Sequence, residues 1–94
     1  LATAAHREAV ELLGAGAAPV LRARLQIALG TDQAAAGDHA AAVATYAAAL
    51  APLEAQGHGL VMQALVSRAA ARRQLGELDA AAVDAGRAVA LARS

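Results

Sequence analysis

Histidine is the residue type that most readily binds metals or transfers protons near neutral pH, and this chain has three. His6 lies near a predicted helix start, and His39 and His58 lie at predicted turns. Their spacing matches no metal-binding motif such as H-E-x-x-H. Because polar side chains at helix ends account for all three, we expect solvated histidines and no metal site.

Two pairs of acidic residues raise the alternative of acid–base catalysis. Glu8 and Glu11 share a predicted helix face, as Asp79 and Asp84 approximately do. Two carboxylates act as acid and base only in a pocket that separates their pKa values, and the sequence indicates no such pocket. The segment 14–16 is glycine-rich but lacks the lysine of a phosphate-binding loop. We therefore interpret the acidic pairs as solvated surface and expect no catalytic residues and no cofactor.

The composition is that of a small helical protein with small side chains. Of the 94 residues 59% are hydrophobic but only 1% aromatic, because most of the apolar residues are alanine. Alanine is the strongest helix former, so a helical chain with a thin core is expected. The eight basic residues are all arginine and asparagine is absent, as is typical of GC-rich bacterial genomes.

The charge and cysteine content exclude several classes of partner. The formal net charge is zero and no basic cluster stands out, which disfavours nucleic-acid binding. Apolar runs are interrupted by charged residues before they reach the length of a membrane span. Since the chain also lacks cysteine, we expect a cytoplasmic protein that binds neither nucleic acid nor membrane.

The positions of glycine, proline and helix-capping residues predict where helices begin and end, and they indicate five helices. The third is capped by Asp38, and Pro52 predicts a kink or an early end near Leu50, followed by an extra turn over 53–56. In chain order the other predicted helices span about Thr3–Leu13, Pro19 to the residues before Gly37, Leu60–Leu75 and Leu78–Arg93.

Apolar residues at helical spacing predict one face for each of the last four helices. In chain order these faces are Leu21, Leu25, Ala28 and Leu29; Val43, Tyr46, Leu50 and Leu53; Val61, Ala64, Leu65, Ala69 and Leu75; and Leu78, Ala82, Ala85, Val89 and Ala92.

The chain contains an internal repeat. A glycine followed by an acid opens two similar helices, at Gly37-Asp38 and at Gly76-Glu77, so the period is 76 − 37 = 39 residues. Twelve residues after each glycine an alanine precedes a branched aliphatic residue, as Ala49-Leu50 and as Ala88-Val89. Two aligned copies favour an array of helix pairs over a generic alanine-rich bundle, which remains the alternative.

The first copy resembles the tetratricopeptide repeat family. Its Leu29-Gly30 pair, its Gly-acid turn, and Ala42, Tyr46 and Ala49 stand at that family's spacing. The second copy keeps the turn and the alanines, but has Arg68-Ala69 at the Leu-Gly position and Ala85 at the aromatic one. The 39-residue period exceeds the usual period of about 34 and is closer to a longer variant.

The resemblance, which covers about residues 20–94, implies an all-α fold. We expect an α-α superhelix of antiparallel helix pairs, with about five helices in two and a half repeats. The 94 residues would form a single repeat fragment, with 1–18 as the second helix of a truncated repeat, 19–57 as one repeat and 58–94 as the next. Because a helix pair cannot bury its apolar face alone, apolar residues should stay open at both ends, namely Val10, Leu13, Val83, Val89 and Ala90.

The resemblance implies a protein-interaction or scaffold module of a larger bacterial signalling or regulatory protein, without catalysis. Its partner would be a protein, a peptide or flanking repeats of the same chain; a homodimer that pairs through its exposed terminal helices is the alternative, and an enzyme fragment ranks last. The first helix of each pair would line a concave groove, whose residues are Arg24, Ile27, Ala28, Thr31, Ala35, Gln63, Val66, Ser67, Ala70 and Arg73.

Overall fold

The computed structural model describes residues 19–55 and 59–93, and these residues form four helices without strands. The helices are α1 (Pro19–Ala35), α2 (His39–Ala55), α3 (Leu60–Gln74) and α4 (Leu78–Arg93). They confirm the last four predicted helices to within a few residues. The predicted first helix, over Thr3–Leu13, lies outside the described residues.

The turn between α1 and α2 is built by the predicted Gly-acid pair. Gly37 has a φ of +88°, a left-handed conformation that glycine adopts without a Cβ penalty. The N–H of Asp38 donates to the carbonyl of Gln33 at 2.9 Å, which satisfies a carbonyl at the helix end. The N–H of Ala41 donates to Oδ1 of Asp38 at 3.2 Å, so the prediction of Asp38 as an N-cap is confirmed.

The turn between α3 and α4 repeats this geometry 39 residues later. Gly76 has a φ of +80°, and the N–H of Glu77 donates to the carbonyl of Arg72 at 2.9 Å. The N–H of Ala81 then donates to the carbonyl of Glu77, as that of Ala42 does to the carbonyl of Asp38. The repeat in the sequence is therefore also a repeat in hydrogen bonding.

Pro52 lies inside α2 and does not end it. The helix continues to Ala55, so of the two predicted alternatives, a kink or an early end near Leu50, the early end is wrong. Leu50 and Leu53 are both buried, at 4% and 0% exposure. Because proline removes one backbone donor near the end of the helix, we attribute the continuation to the apolar packing on either side of it.

The predicted apolar faces of α2 and α3 are largely confirmed. In α2, Tyr46 and the two leucines after it are buried while Val43 is partly buried. Of the face predicted for α3, only Leu75, the residue that follows the helix, is exposed. Apart from Ala69 and Leu75, the residues of these two faces belong to one core cluster or pack against it, and within this core α2 packs against both α1 and α3.

The predicted face of α4 is wrong, and that of α1 is wrong in part. In α1, Leu29 is buried as predicted, but Leu21 is 49% exposed, Leu25 and Ala28 are only partly buried, and the buried side also includes Ala23 and Ile27. In α4 the buried residues are a different set, namely Ala81, Asp84 and Ala88. The whole predicted face of α4 is exposed, which comprises Leu78, Ala82, Ala85, Val89 and Ala92.

The helices form two hairpins that pack side by side. The first hairpin is α1–α2 and the second is α3–α4, and the two meet mainly where α2 packs on α3. The core between them contains Leu50 and Leu53 of the first hairpin and Val61, Ala64 and Leu65 of the second. Among the described helices α4 packs against α3, and its other side carries exposed apolar residues at one end of the described structure.

Candidate functional site

A carboxylate lies buried between the two helices of the second hairpin. Asp84 of α4 is 1% exposed, and two arginines of α3 converge on it. Arg68 donates from Nε to Oδ2 at 2.9 Å and from Nη2 to Oδ1 at 2.8 Å, a two-pronged contact that fixes both groups. Arg72 donates from Nη1 to Oδ2 at 2.8 Å. The expectation that Asp84 is a solvated surface residue is therefore wrong, whereas Asp79 is exposed.

The two arginines determine the ionisation of Asp84. Burial raises the pKa of its carboxyl, but hydrogen bonds and charges from Arg68 and Arg72 outweigh burial and hold the pKa below its usual value of 3.8. A carboxylate that stays ionised near neutral pH cannot serve there as a general acid, and both of its oxygens are already occupied. The arrangement joins two helices and provides no acid–base chemistry.

The first hairpin has an uncharged pair at the equivalent positions. Thr45, 39 residues before Asp84, donates from Oγ1 to Oε1 of Gln33 at 2.7 Å. Gln33 is likewise 39 residues before Arg72, and it is buried at 7% exposure. Each hairpin thus has a polar contact between its two helices at the same place, neutral in the first hairpin and ionic in the second.

The sequence does carry a signal for this ionic contact. Arg68 and Arg72 are four residues apart and share one helix face, and the 39-residue alignment places them at Leu29 and Gln33, both buried in the first hairpin. Two arginines at buried positions require an acid opposite them. The sequence does not say which acid this is, because only the structure shows that Thr45, the equivalent of Asp84, faces Gln33.

Tyr46, the single aromatic residue of the chain, packs between the two helices of the first hairpin. Its ring lies against Gly30 so closely that a Cβ on Gly30 would be 2.7 Å from the ring. Its hydroxyl is 3.1 Å from Oγ1 of Thr31, which also donates to the carbonyl of Ile27 at 3.0 Å. The second hairpin has Ala69 at the glycine position and no ring opposite it, so its two helices enclose less side-chain volume.

Half of the predicted groove residues meet in one hollow between α1 and α3. This hollow has a volume of about 290 Å³, and Asp32 and Leu60 also line it. Its predicted members differ in exposure, since Ile27 is buried and Ala28 partly buried while the rest are exposed. The predicted residues brought together there are Arg24, Ile27, Ala28, Thr31 and Gln63.

The other predicted groove residues do not join that hollow. Val66 and Arg73 line a second hollow of about 330 Å³ between α3 and α4, on the open side of the second hairpin. Ala35, Ser67 and Ala70 line neither hollow. The structure therefore divides the predicted groove into two concave surfaces.

The second hollow belongs to a larger apolar surface that the repeat defines. Five residues that are nearly inaccessible in the first hairpin have exposed equivalents 39 residues later: Ala23 (0%), Ile27 (5%), Tyr46 (2%), Leu50 (4%) and Leu53 (0%). We call these equivalents the end face, which consists of Met62, Val66, Ala85, Val89 and Ala92. Met62 is 39% exposed, Val66 54% and Val89 49%. All five line the second hollow.

A third hollow lies next to the end face, at the boundary between the two hairpins. It has a volume of about 470 Å³ and is lined by Val61, Met62 and Leu91 among others. At its edge Arg87 of α4 donates from Nη2 to Oε1 of Glu54 in α2 at 2.6 Å. This ion pair joins the two hairpins, and both of its side chains are about half exposed.

The described part of the chain offers little for other kinds of site. No group of three or more histidine, cysteine or acidic side chains gathers there that could hold a metal ion. His39 begins α2 and is partly buried, with Nδ1 shielded from solvent, whereas His6 and His58 lie outside the described residues, as do Glu8, Glu11, Val10 and Leu13. None of the four helices is long and apolar enough to cross a membrane.

Comparison with known proteins adds no relative. The chain matches no family model, no curated protein and no solved structure. Function must therefore be argued from the surfaces described above.

Proposed function

We propose that this protein is a non-catalytic interaction module that binds another protein through the end face. The observation that carries the proposal is the contrast in exposure across the repeat. Core residues of the first hairpin have apolar equivalents in the second hairpin that none of the described residues covers. Exposed apolar surface of this kind, bordered by polar residues, is typical of binding sites for other proteins.

The repeated turn and the uncovered outer side of the second hairpin support a tetratricopeptide-like arrangement, which remains part of the proposal. Both hairpins use the same turn, with matching hydrogen bonds at 39-residue spacing. In a superhelical array each hairpin presents its outer side to the next hairpin, so an uncovered outer side is a place where a further helix can pack.

The proposal is tested by two matched substitutions on α4. Val89→Glu places a charge in the end face, where a bound partner would bury it. Val83→Glu makes the same change on the same helix, but Val83 is 62% exposed and its equivalent in the first hairpin, Ala44, is also exposed. Both variants should therefore fold as the unchanged protein does, by circular dichroism.

The measurement is selection of ligands from a displayed library of helix-forming peptides, with the immobilised full chain as target. We expect the unchanged protein and Val83→Glu to retain the same peptides, and Val89→Glu to lose them by at least about tenfold in affinity. If no retained peptide depends on Val89, the end face is not a binding site.

Self-association through the terminal helices is a second candidate, because the end face could also meet its own copy. Sedimentation equilibrium over a range of concentrations separates the two functions. A dimer that dissociates in Val89→Glu and persists in Val83→Glu would favour self-association, whereas a monomer at all concentrations would leave partner binding as the function.

A further inference from the structure

The charges around the end face differ from those at the equivalent places in the first hairpin. Arg73 borders the second hollow, whereas its equivalent Ala34 is a partly buried apolar residue that packs on the core. Arg93 at the end of α4 replaces Glu54, which pairs with Arg87. Both differences add positive charge to the edge of the end face, and both arginines are exposed.

The shape of the end face also differs from its equivalent in the first hairpin. There the ring of Tyr46 fills the space beside Gly30, while in the second hairpin Ala85 and Ala69 stand at those two positions. The hollow of about 330 Å³ lies along these alanines. A binding helix therefore needs a large apolar side chain to fill the space that alanine leaves.

A second copy stacked head to tail fits this surface poorly. The side of α3 that packs against the first hairpin presents Val61, Ala64 and Leu65. A second copy would place its own α1 on the end face and would present the residues 39 positions earlier, which are Arg22, Leu25 and Gln26. Arg22 replaces Val61 and Gln26 replaces Leu65, so two aliphatic contacts become polar. Burial of these polar groups against an apolar face is unfavourable.

In such a head-to-tail stack Arg93, at the edge of the end face, would also lack an acidic partner. Arg93 stands at the position of Glu54, so the incoming hairpin would need an acid at the position of Arg87. The equivalent of Arg87 in the first hairpin is Ala48, which cannot pair with Arg93. The occupant that the surface requires is therefore chemically different from this chain's own first hairpin.

From these observations we infer that the end face binds an amphipathic helix of a partner protein that carries a large aliphatic or aromatic side chain and an adjacent carboxylate. The large side chain enters the second hollow, and the carboxylate pairs with Arg73, which makes no ion pair with the described residues. This inference rests on the proposed function and specifies its partner. An arginine at an interface edge selects partners by charge and adds little affinity.

The test is a selection in which size and charge vary independently. Helix-forming peptides of about 18 residues carry Ala, Leu or Phe at one apolar position and Glu, Gln or Lys at the neighbouring edge position, one helical turn away. They are selected against the full chain, against Arg73→Glu and against Arg24→Glu. Arg24 is also an exposed arginine, but it lies on α1 away from the end face, so its variant controls for net charge.

We expect the unchanged chain to enrich Leu or Phe together with Glu. Arg73→Glu should bind the selected Glu peptide about fivefold more weakly and should enrich Lys, while Arg24→Glu should stay within about twofold. The preference for Glu should weaken at high salt, because the pair is near the surface.

Each other outcome contradicts a different statement. Peptides that depend on Val89 but carry Gln or Lys as often as Glu would leave the proposed function in place and refute the acidic partner. Enrichment of Ala as often as Leu or Phe would refute the large side chain. The absence of any peptide that depends on Val89 would refute the proposed function itself, and a Val89-dependent dimer would identify a second copy as the occupant.

Discussion

At the scale of single residues, the ionic contact around Asp84 dominates the second hairpin. A buried carboxylate is tolerated there because two guanidinium groups occupy its oxygens, with three hydrogen bonds of 2.8 to 2.9 Å. The arginines are less deeply buried, with side chains 13% and 22% exposed, so they retain some contact with water. Removal of the carboxylate therefore affects stability more than removal of an exposed acid would.

Asp84→Asn should lower the free energy of unfolding by about 2 to 4 kcal/mol, because it leaves two arginines without their carboxylate. The matched control is Asp79→Asn on the same helix, where the side chain is exposed. It should cost less than about 1 kcal/mol, from the weaker interaction with the helix dipole. Urea denaturation followed by circular dichroism measures both, and equal losses would contradict the dominant role of the buried contact.

The ionic contact also predicts a dependence on pH. Because the pKa of Asp84 is lowered in the folded state, its contribution is complete above the pKa of the unfolded chain and is lost as pH falls through the folded pKa. The difference in unfolding free energy between the unchanged protein and Asp84→Asn should therefore be constant from about pH 5 to 7 and shrink below about pH 4. A difference that does not shrink at all below about pH 4 would mean that the amide destabilises the protein for another reason, such as its hydrogen-bonding geometry.

At the scale of helices, the sequence predicted the elements well and their faces unevenly. Turns were predictable because the glycines at 37 and 76 adopt positive φ, a local requirement that the sequence shows directly. The buried side of α4 was not, because alanine lies on all sides of this helix and its larger apolar residues, such as Val83 and Val89, are exposed. In α1 the larger residues divide between the two sides, since Leu21 is exposed while Ile27 and Leu29 are buried. Apolar periodicity carries little information when the smallest apolar residue fills both sides.

The candidate surfaces were predictable only in part, for a related reason. The alignment assigned residues to the first helix of each pair, and five of them do meet in one hollow. It did not assign the end face, whose residues come from α3 and α4 together, because that surface depends on how the two helices pack. Val66 was named from the sequence as a groove residue and Val89 as an open apolar residue. Met62 was not named, and Ala85 and Ala92 were expected on a packed face.

The close packing of α1 against α2 at Gly30 gives a prediction, for which Gly86 in α4 is the control. Gly30→Ala should destabilise the protein by about 1 to 3 kcal/mol, because the new Cβ would be 2.7 Å from the ring of Tyr46. Gly86→Ala in α4 is the control, since a Cβ there meets nothing within 4 Å. It should stabilise the protein by about 0.5 to 1 kcal/mol through helix propensity. Thermal denaturation of both variants checks the opposite signs.

At the scale of the whole molecule, the four helices differ in how many neighbours support them. The second helix packs against α1 and α3, whereas α4 packs against α3 and leaves its outer side exposed. Local stability follows buried contacts, so it should fall toward the end face. A binding surface at the less stable end of the molecule can be reinforced by the partner that covers it.

Hydrogen exchange should reveal this gradient. Backbone amides in the middle of α2 should exchange more slowly than those in the middle of α4 in the free protein, with opening free energies that differ by about 1 kcal/mol or more. Addition of a peptide selected for the end face should slow exchange in α4. Equal exchange in both helices would show that the molecule opens as a single unit despite its uneven packing.

The polar contacts inside the two hairpins also limit how this gene can be shortened. Recombination between the two similar turns would delete one 39-residue period and join α1 directly to α4. Asp84 would then face Leu29 and Gln33 where it now meets Arg68 and Arg72, and a buried carboxylate without a counter-charge would oppose folding. Although their turns match, the two hairpins are not interchangeable, because the buried carboxylate of α4 requires the two arginines that only α3 provides.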